Sequence, residues 1–155
     1  MTTHRATVHW QKLPEQPFTD SQFSRVHTWE FDGGVCIPAS PSPDILPPPL
    51  SDEFAVDPEE AYVATLSSCH MMAFLAIAAK RKYVVEQYRD TAQGVLSKNE
   101  HGKLWVSKVC LCPDVQFSGG KIPSPEQVQK LHKLAHKNCF IANSVKTAIE
   151  ISSAS

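Results

Sequence analysis

The spacing of polar and apolar residues changes several times along this 155-residue chain, and each change predicts an element. Ala6–Lys12 and Val26–Phe31 interleave aromatic and β-branched residues with polar ones, which predicts two strands. Asp32-Gly33-Gly34 predicts a turn, and Val35–Ile37 opens a further strand. The pattern then stops, because six of the twelve prolines fall between Pro38 and Pro49. Proline fixes φ and donates no backbone hydrogen bond, so this stretch predicts an extended loop. The segment before it is too short for a core of its own. The expectation is therefore a long surface loop inside one domain covering residues 1–155.

After the loop, Asp57-Pro58-Glu59-Glu60 combines a capping residue, a proline suited to the first helical position, and acids suited to the positive helix end. It predicts a helix from Ala61 to about Arg81. The nineteen residues Ala61–Ala79 contain no Asp, Glu, Lys or Arg, a length near that of a membrane span. Thr65, Ser67, Ser68, His70 and several alanines keep the hydrophobicity modest, so a buried core helix is expected instead. A helix apolar all round must be covered on all sides. A small sheet and a second helix cover two of them, and the remainder predicts a homodimer in which the helix packs near its symmetry mate. Farther on, Tyr88–Ser97 and Leu104–Phe117 predict two strands joined at Asn99–Gly102 into a hairpin. Ser124-Pro125-Glu126-Gln127 opens a second helix with the apolar stripe Val128, Leu131, Leu134 and Ala135, and Ala148–Ser152 predicts a last short strand. This order predicts an α+β fold with a mostly antiparallel sheet.

Composition narrows the function. With 42% hydrophobic and 20% charged residues the chain suits a soluble globule, and its net charge of −1 leaves no basic excess for general nucleic-acid binding. Met1–Lys12 is polar, with no apolar signal core. The five cysteines, at 36, 69, 110, 112 and 139, are odd in number and scattered, unlike a secreted disulfide framework. A cytoplasmic, reducing setting is expected, where cysteines tend to serve catalysis or metal binding.

Cys69 lies inside the apolar helix, where a thiol is inert unless a positive group or a helix N-terminus favours the thiolate. It lies eleven residues beyond Pro58, outside the reach of the helix dipole unless the helix breaks near Ser67-Ser68. A cation must then come from Arg25, His70 or Arg5. Cys110 and Cys112 alternate on a strand, share one face and read as structural, and Cys36 reads as packing. His132 and His136 share a helix face, but Lys133 stands where the zinc-protease motif has Glu, so a solvated face is expected rather than a metal pair. Cys69, His70 and Cys139 form a weaker metal alternative, and a structural domain with inert thiols is another.

The run Asp57-Pro58-Glu59 through Cys69-His70-Met71, with Cys139 seventy residues farther on, resembles the OsmC/Ohr family of osmotically inducible and organic hydroperoxide resistance proteins. The similarity extends to Phe23–His27, Phe31–Gly34 and Leu131–Val145, and is closer to the OsmC-like branch than to the hydroperoxide-resistance branch. The resemblance implies an intertwined α+β homodimer with sheets around a long apolar central helix and two interfacial active sites. It implies a thiol peroxidase of the stress response that reduces organic hydroperoxides and needs no cofactor or metal, no membrane and no nucleic acid. Cys69 matches the peroxidatic cysteine, Cys139 the resolving cysteine, Glu59 the glutamate that orients the family's arginine, and Arg25 that arginine. Phe140 departs from the family's proline after the resolving cysteine. The disulfide would be reopened by a dithiol, with lipoylated proteins as one source. Glu59 and Cys69 would lie about 15 Å apart on a straight helix, so either the helix breaks or two subunits build each site. The alternative reading keeps the fold as a carrier of a hydrophobic ligand in the interface pocket, lined by Met71, Met72 and Phe74.

Overall fold

A computed structural model describes residues 1–152, which fall into two compact units, residues 1–61 and the chain from Tyr62 onward. The first contains an antiparallel sheet in the order β1 (Ala6–His9), β2 (His27–Phe31), β3 (Cys36–Ala39). Gly34, at φ 84°, makes the β2–β3 turn. Pro38 is tolerated because β3 is an edge strand. The proline-rich stretch is an ordered loop. Ser40 N–H donates to Val56 O at 3.0 Å, Val56 N–H to Pro38 O at 3.0 Å, and Asp52 N–H to the buried Ser40 Oγ at 2.8 Å.

Helix α1 (Pro58–Lys80) starts where the sequence predicts. Glu60 N–H donates to Asp57 Oδ1 at 2.7 Å and Asp57 N–H to Glu60 Oε2 at 3.2 Å, a reciprocal cap. The helix is unbroken through Ser67-Ser68. It stops at Lys82, whose φ of 64° lets Tyr83 N–H reach back to Ala78 O at 3.0 Å.

In the second unit α1 buries the stripe Leu66, His70, Phe74 and Ala78. Phe74 and Ala78 pack with Tyr83, Leu131 and Ala135, and Leu66 packs with Val109 and Leu111. Helix α2 (Pro125–Asn138) carries Leu131 and Ala135, and begins at the expected Ser124/Gln127 capping box. The strands are β4 (Val84–Asp90), β5 (Gln93–Lys98), β6 (Leu104–Leu111), β7 (Pro113–Ser118) and β8 (Ala148–Ile151). β5 and β6 form the expected hairpin, β8 adds to β6 in parallel, and β4 pairs antiparallel with β7 in a separate ladder.

This corrects the two long strands expected over Tyr88–Ser97 and Leu104–Phe117. Each divides between two sheets, and the cause is local. Pro113 brings no donor, while the Asp90 carboxylate accepts from Cys112 N–H at 2.7 Å and from the Ser67 hydroxyl. The chain changes ladder on both sides of that carboxylate.

Candidate thiol site

The second unit brings Cys69 and Cys139 together. Cys69 is half-buried on α1, and Cys139, 1% exposed, is the residue that ends α2. Its extended backbone (φ −75°, ψ 112°) stops the helix, and a 3-10 turn at Ala142–Ser144 follows at once. That turn is closed by Asn143 N–H to Cys139 O at 3.1 Å and by Ser144 Oγ–H to Phe140 O at 2.8 Å, and it leaves the Phe140 side chain exposed. Cys139 Sγ accepts from Ala142 N–H at 3.3 Å, and the Cys69 thiol is its neighbour. Burial, then the neighbouring Cys69 thiol, push the Cys139 thiol up to about 11, against the opposing pull of the Ala142 and Ile141 amides. Cys139 is therefore a neutral, buried thiol beside Cys69.

The first unit brings Arg25 and Glu59 together. Both line a cavity of about 410 Å³ walled by Val8, Trp10, Phe23, His27 and Ile45, among others. The Arg25 guanidinium lies 4.0 Å from the Phe23 ring centre and donates to Phe23 O at 2.7 Å and to Ser21 O at 3.2 Å. Among the described residues no ion pair joins it to Glu59. The carbonyls satisfy the guanidinium in place of the carboxylate that the resemblance implies. Its backbone is held on both sides, by Arg25 N–H to Leu50 O at 2.9 Å and by His27 Nδ1 on Arg25 O at 2.8 Å. His27 Nε2 accepts from Trp29 Nε1 at 3.0 Å, which leaves Nδ1 as the protonated nitrogen. Trp10, Phe18 and Phe23 cluster around this segment, with Trp10 Nε1 donating to Ser24 O at 2.9 Å. Trp10 and His27 were not picked out from the sequence as cavity walls. The aromatic content of their strands was the available signal.

Other expectations are corrected. His70 cannot supply the cation for Cys69: burial, aided by His132 and His136, lowers it to about 4, and the ring is neutral. His132 is not on a solvated face, since it is 4% exposed and bonded to His70 at 3.0 Å. Cys36 is exposed rather than packed. Phe74 lies in the core, the role expected of its run ahead of lining a pocket, while Met72 is exposed. Cys110 and Cys112 do share a face, beside Glu150 and Ser152 of the β8 side. Arg5 is exposed just before β1. Among the described residues no three His, Cys, Asp or Glu side chains assemble closely enough to hold a metal, so the set Cys69, His70 and Cys139 does not come together as one. By length and composition α1 could cross a membrane, but its buried stripe is part of the core of the second unit.

Comparison with known proteins agrees with this architecture. The model of OsmC-like proteins matches residues 51–154. An OsmC-like protein of unknown function from Vibrio cholerae is 56% identical, with a TM-score of 0.97 over 99% of this chain and 100% of that one. An organic hydroperoxide resistance protein from Legionella pneumophila shares 16% identity and a TM-score of 0.71 over 100% and 98% of the two chains. The organic hydroperoxide resistance protein OhrB of Bacillus subtilis shares 17% identity and a TM-score of 0.70 over 99% and 98%. A search of the curated proteins finds no match.

Proposed function

Because the chain belongs to the OsmC-like family, we propose that it is a cysteine-based peroxidase that reduces organic hydroperoxides to alcohols. The observation that carries this reading is that the fold sets Cys139 beside Cys69, near enough for Cys69 to raise its thiol. Two structural neighbours named as organic hydroperoxide resistance proteins support it.

In this scheme the Cys69 thiolate attacks one peroxide oxygen. The O–O bond breaks, the alkoxide takes a proton and leaves as alcohol, and Cys69 becomes a sulfenic acid. Cys139, its neighbour, attacks that sulfur. The S–O bond breaks, and the departing hydroxide leaves as water with the Cys139 proton. A dithiol then reopens the disulfide by two exchanges and becomes a disulfide itself.

Arg25 would stabilise the charge that develops on the leaving oxygen, and Glu59 would hold the guanidinium by a bidentate pair. The carbonyls of Ser21 and Phe23 engage Nη1 and Nη2, and among the described residues the Nε edge of the guanidinium remains for the carboxylate. The helix that carries Glu59 and Cys69 is unbroken, with about 15 Å of rise between them. That favours the second of the two arrangements, in which a homodimer supplies Arg25 and Glu59 from one copy and the two sulfurs from the other. The exposed small and apolar face of α1, with Ala64, Ser68, Met72 and Ala76, suits burial against a second copy.

The test is a pair of second-order rate constants measured on the fully reduced protein. Cumene hydroperoxide should react at least ten times faster than hydrogen peroxide. No reaction with cumene hydroperoxide would reject the enzyme. A stable complex with an apolar ligand in the cavity and no turnover would establish the carrier reading instead, which the apolar walls Val8, Trp10 and Ile45 favour.

A further inference from the structure

Two buried imidazoles take no part in this scheme, yet both lie on the helices that present the sulfurs. His70 follows Cys69 on α1 and is 1% exposed. His132 lies on α2, seven residues before Cys139, and is 4% exposed. His70 Nε2 and His132 Nδ1 are 3.0 Å apart. The rings are nearly parallel, at 11°, with centres 5.3 Å apart, so the nitrogens meet edge to edge. Phe74 packs on the His132 ring at 4.4 Å. The outer nitrogens, His70 Nδ1 and His132 Nε2, are buried without a partner among the described residues. One neutral ring donates and the other accepts, so each outer nitrogen is left desolvated with nothing in return.

Stability alone does not account for such a pair, because two apolar side chains of similar shape would avoid both orphaned nitrogens. Direction is what the pair adds. The apolar contacts of Phe74, Ala78, Leu131 and Ala135 tolerate sliding, whereas a hydrogen bond fixes distance and angle. Among the described residues it is the one side-chain hydrogen bond that joins α1 to α2.

We propose that His70 and His132 are positioning residues for disulfide formation. Their bond sets the register of α2 on α1, and that register holds Cys139 within reach of Cys69. The inference rests on the reading of Cys69 and Cys139 as a redox pair, but not on a peroxide being the oxidant.

Its test uses the equilibrium of the full chain with a buffer of reduced and oxidised glutathione. Closing the bond consumes one glutathione disulfide and releases two glutathione thiols, so the equilibrium reads the effective concentration of one sulfur at the other. Cys36, Cys110 and Cys112 are replaced by Ser so that only the pair reports. His132→Leu should lower the effective concentration at least ten-fold while the thermal midpoint holds or rises. His132→Asn places an amide where Nδ1 stood and should recover the value to within about three-fold. His132→Gln places it where Nε2 stood and should not. Should His132→Leu fail to fold, His70 gives the mirror comparison, with Gln recovering and Asn failing. Equal effective concentrations across the Leu, Asn and Gln variants would overturn the proposal. A failure of the peroxidase reading shows separately, as a normal glutathione equilibrium with no oxidation by hydroperoxide.

Discussion

The two regions that carry the proposed chemistry are built on different principles. Around the sulfurs, Leu66, Phe74, Val109, Leu111, Leu131 and Ala135 are all buried, and Cys139 is buried with them. Around Arg25, the buried residues of the first unit are Ala39, Ser40, Ser51 and Asp57, one small apolar side chain and three polar ones. That region is held by backbone hydrogen bonds and by half-exposed aromatic rings. The contrast fits the two tasks. Closing a disulfide needs two atoms at a fixed separation, which a packed core provides. A guanidinium that must meet both a carboxylate and a leaving oxygen needs a segment that can move at low cost.

Mutations should therefore separate the regions. The largest effect is on turnover: Cys69→Ser should lower peroxide reduction by about 10³-fold or more while stability changes by about 1 kcal/mol or less, as read by steady-state rates and urea midpoints. Full turnover in that variant would remove the sulfur from the mechanism. Next, Phe74→Ala should destabilise by about 3–5 kcal/mol, because it opens a cavity in the core. Trp10→Ala, in the first unit, should cost only about 1 kcal/mol. Equal losses would mean that the first unit has a tighter core than its burial indicates. Arg25→Ala should then reduce the peroxide rate by about 10²-fold with an unchanged urea midpoint. A variant with normal rates would reject Arg25 as the family's arginine.

Acid supplies a smaller perturbation, confined to the second unit. His70 and His132 are both lowered to about 4, while an unfolded histidine titrates near 6.5. As the pH falls from 7, the unfolded chain binds protons first, so stability declines between about 6.5 and 4. His136 adds to the lowering at His70 and Asp90 opposes it. Together the pair should reduce the unfolding free energy on the order of 4 kcal/mol between pH 7 and pH 5, about 2 kcal/mol from each ring. A urea midpoint that stays flat over that range would contradict the buried, neutral state of both rings. Smallest of all, Cys36→Ser and Cys112→Ser should leave stability within about 0.5 kcal/mol and turnover unchanged, since both side chains are exposed.

How far the sequence was readable depended on range. The caps at Asp57/Glu60 and Ser124/Gln127 and the turns at Gly34 and Asn99–Gly102 are decided by residues within a few positions of each other, and they formed where expected. The division of both long strands at Asp90 and Cys112 was not legible, because it depends on a carboxylate meeting an amide 22 residues away. His132 looked like part of a wet face because nothing in α2 reveals a partner 62 residues earlier on α1. The pairing of Cys69 with Cys139 came from family resemblance. A gap of seventy residues carries no geometry of its own. Spacing offered a broken helix or a shared site, and the unbroken α1 removes the first option.

The central claim is that the two neighbouring thiols are one redox unit. The most direct measurement treats the reduced protein with one equivalent of cumene hydroperoxide, counts free thiols and maps the bond by peptide mass. The expected result is a fall from five thiols to three per chain, with Cys69 and Cys139 in one cross-linked peptide. Five thiols remaining, or a bond that leaves Cys139 free, would contradict the account.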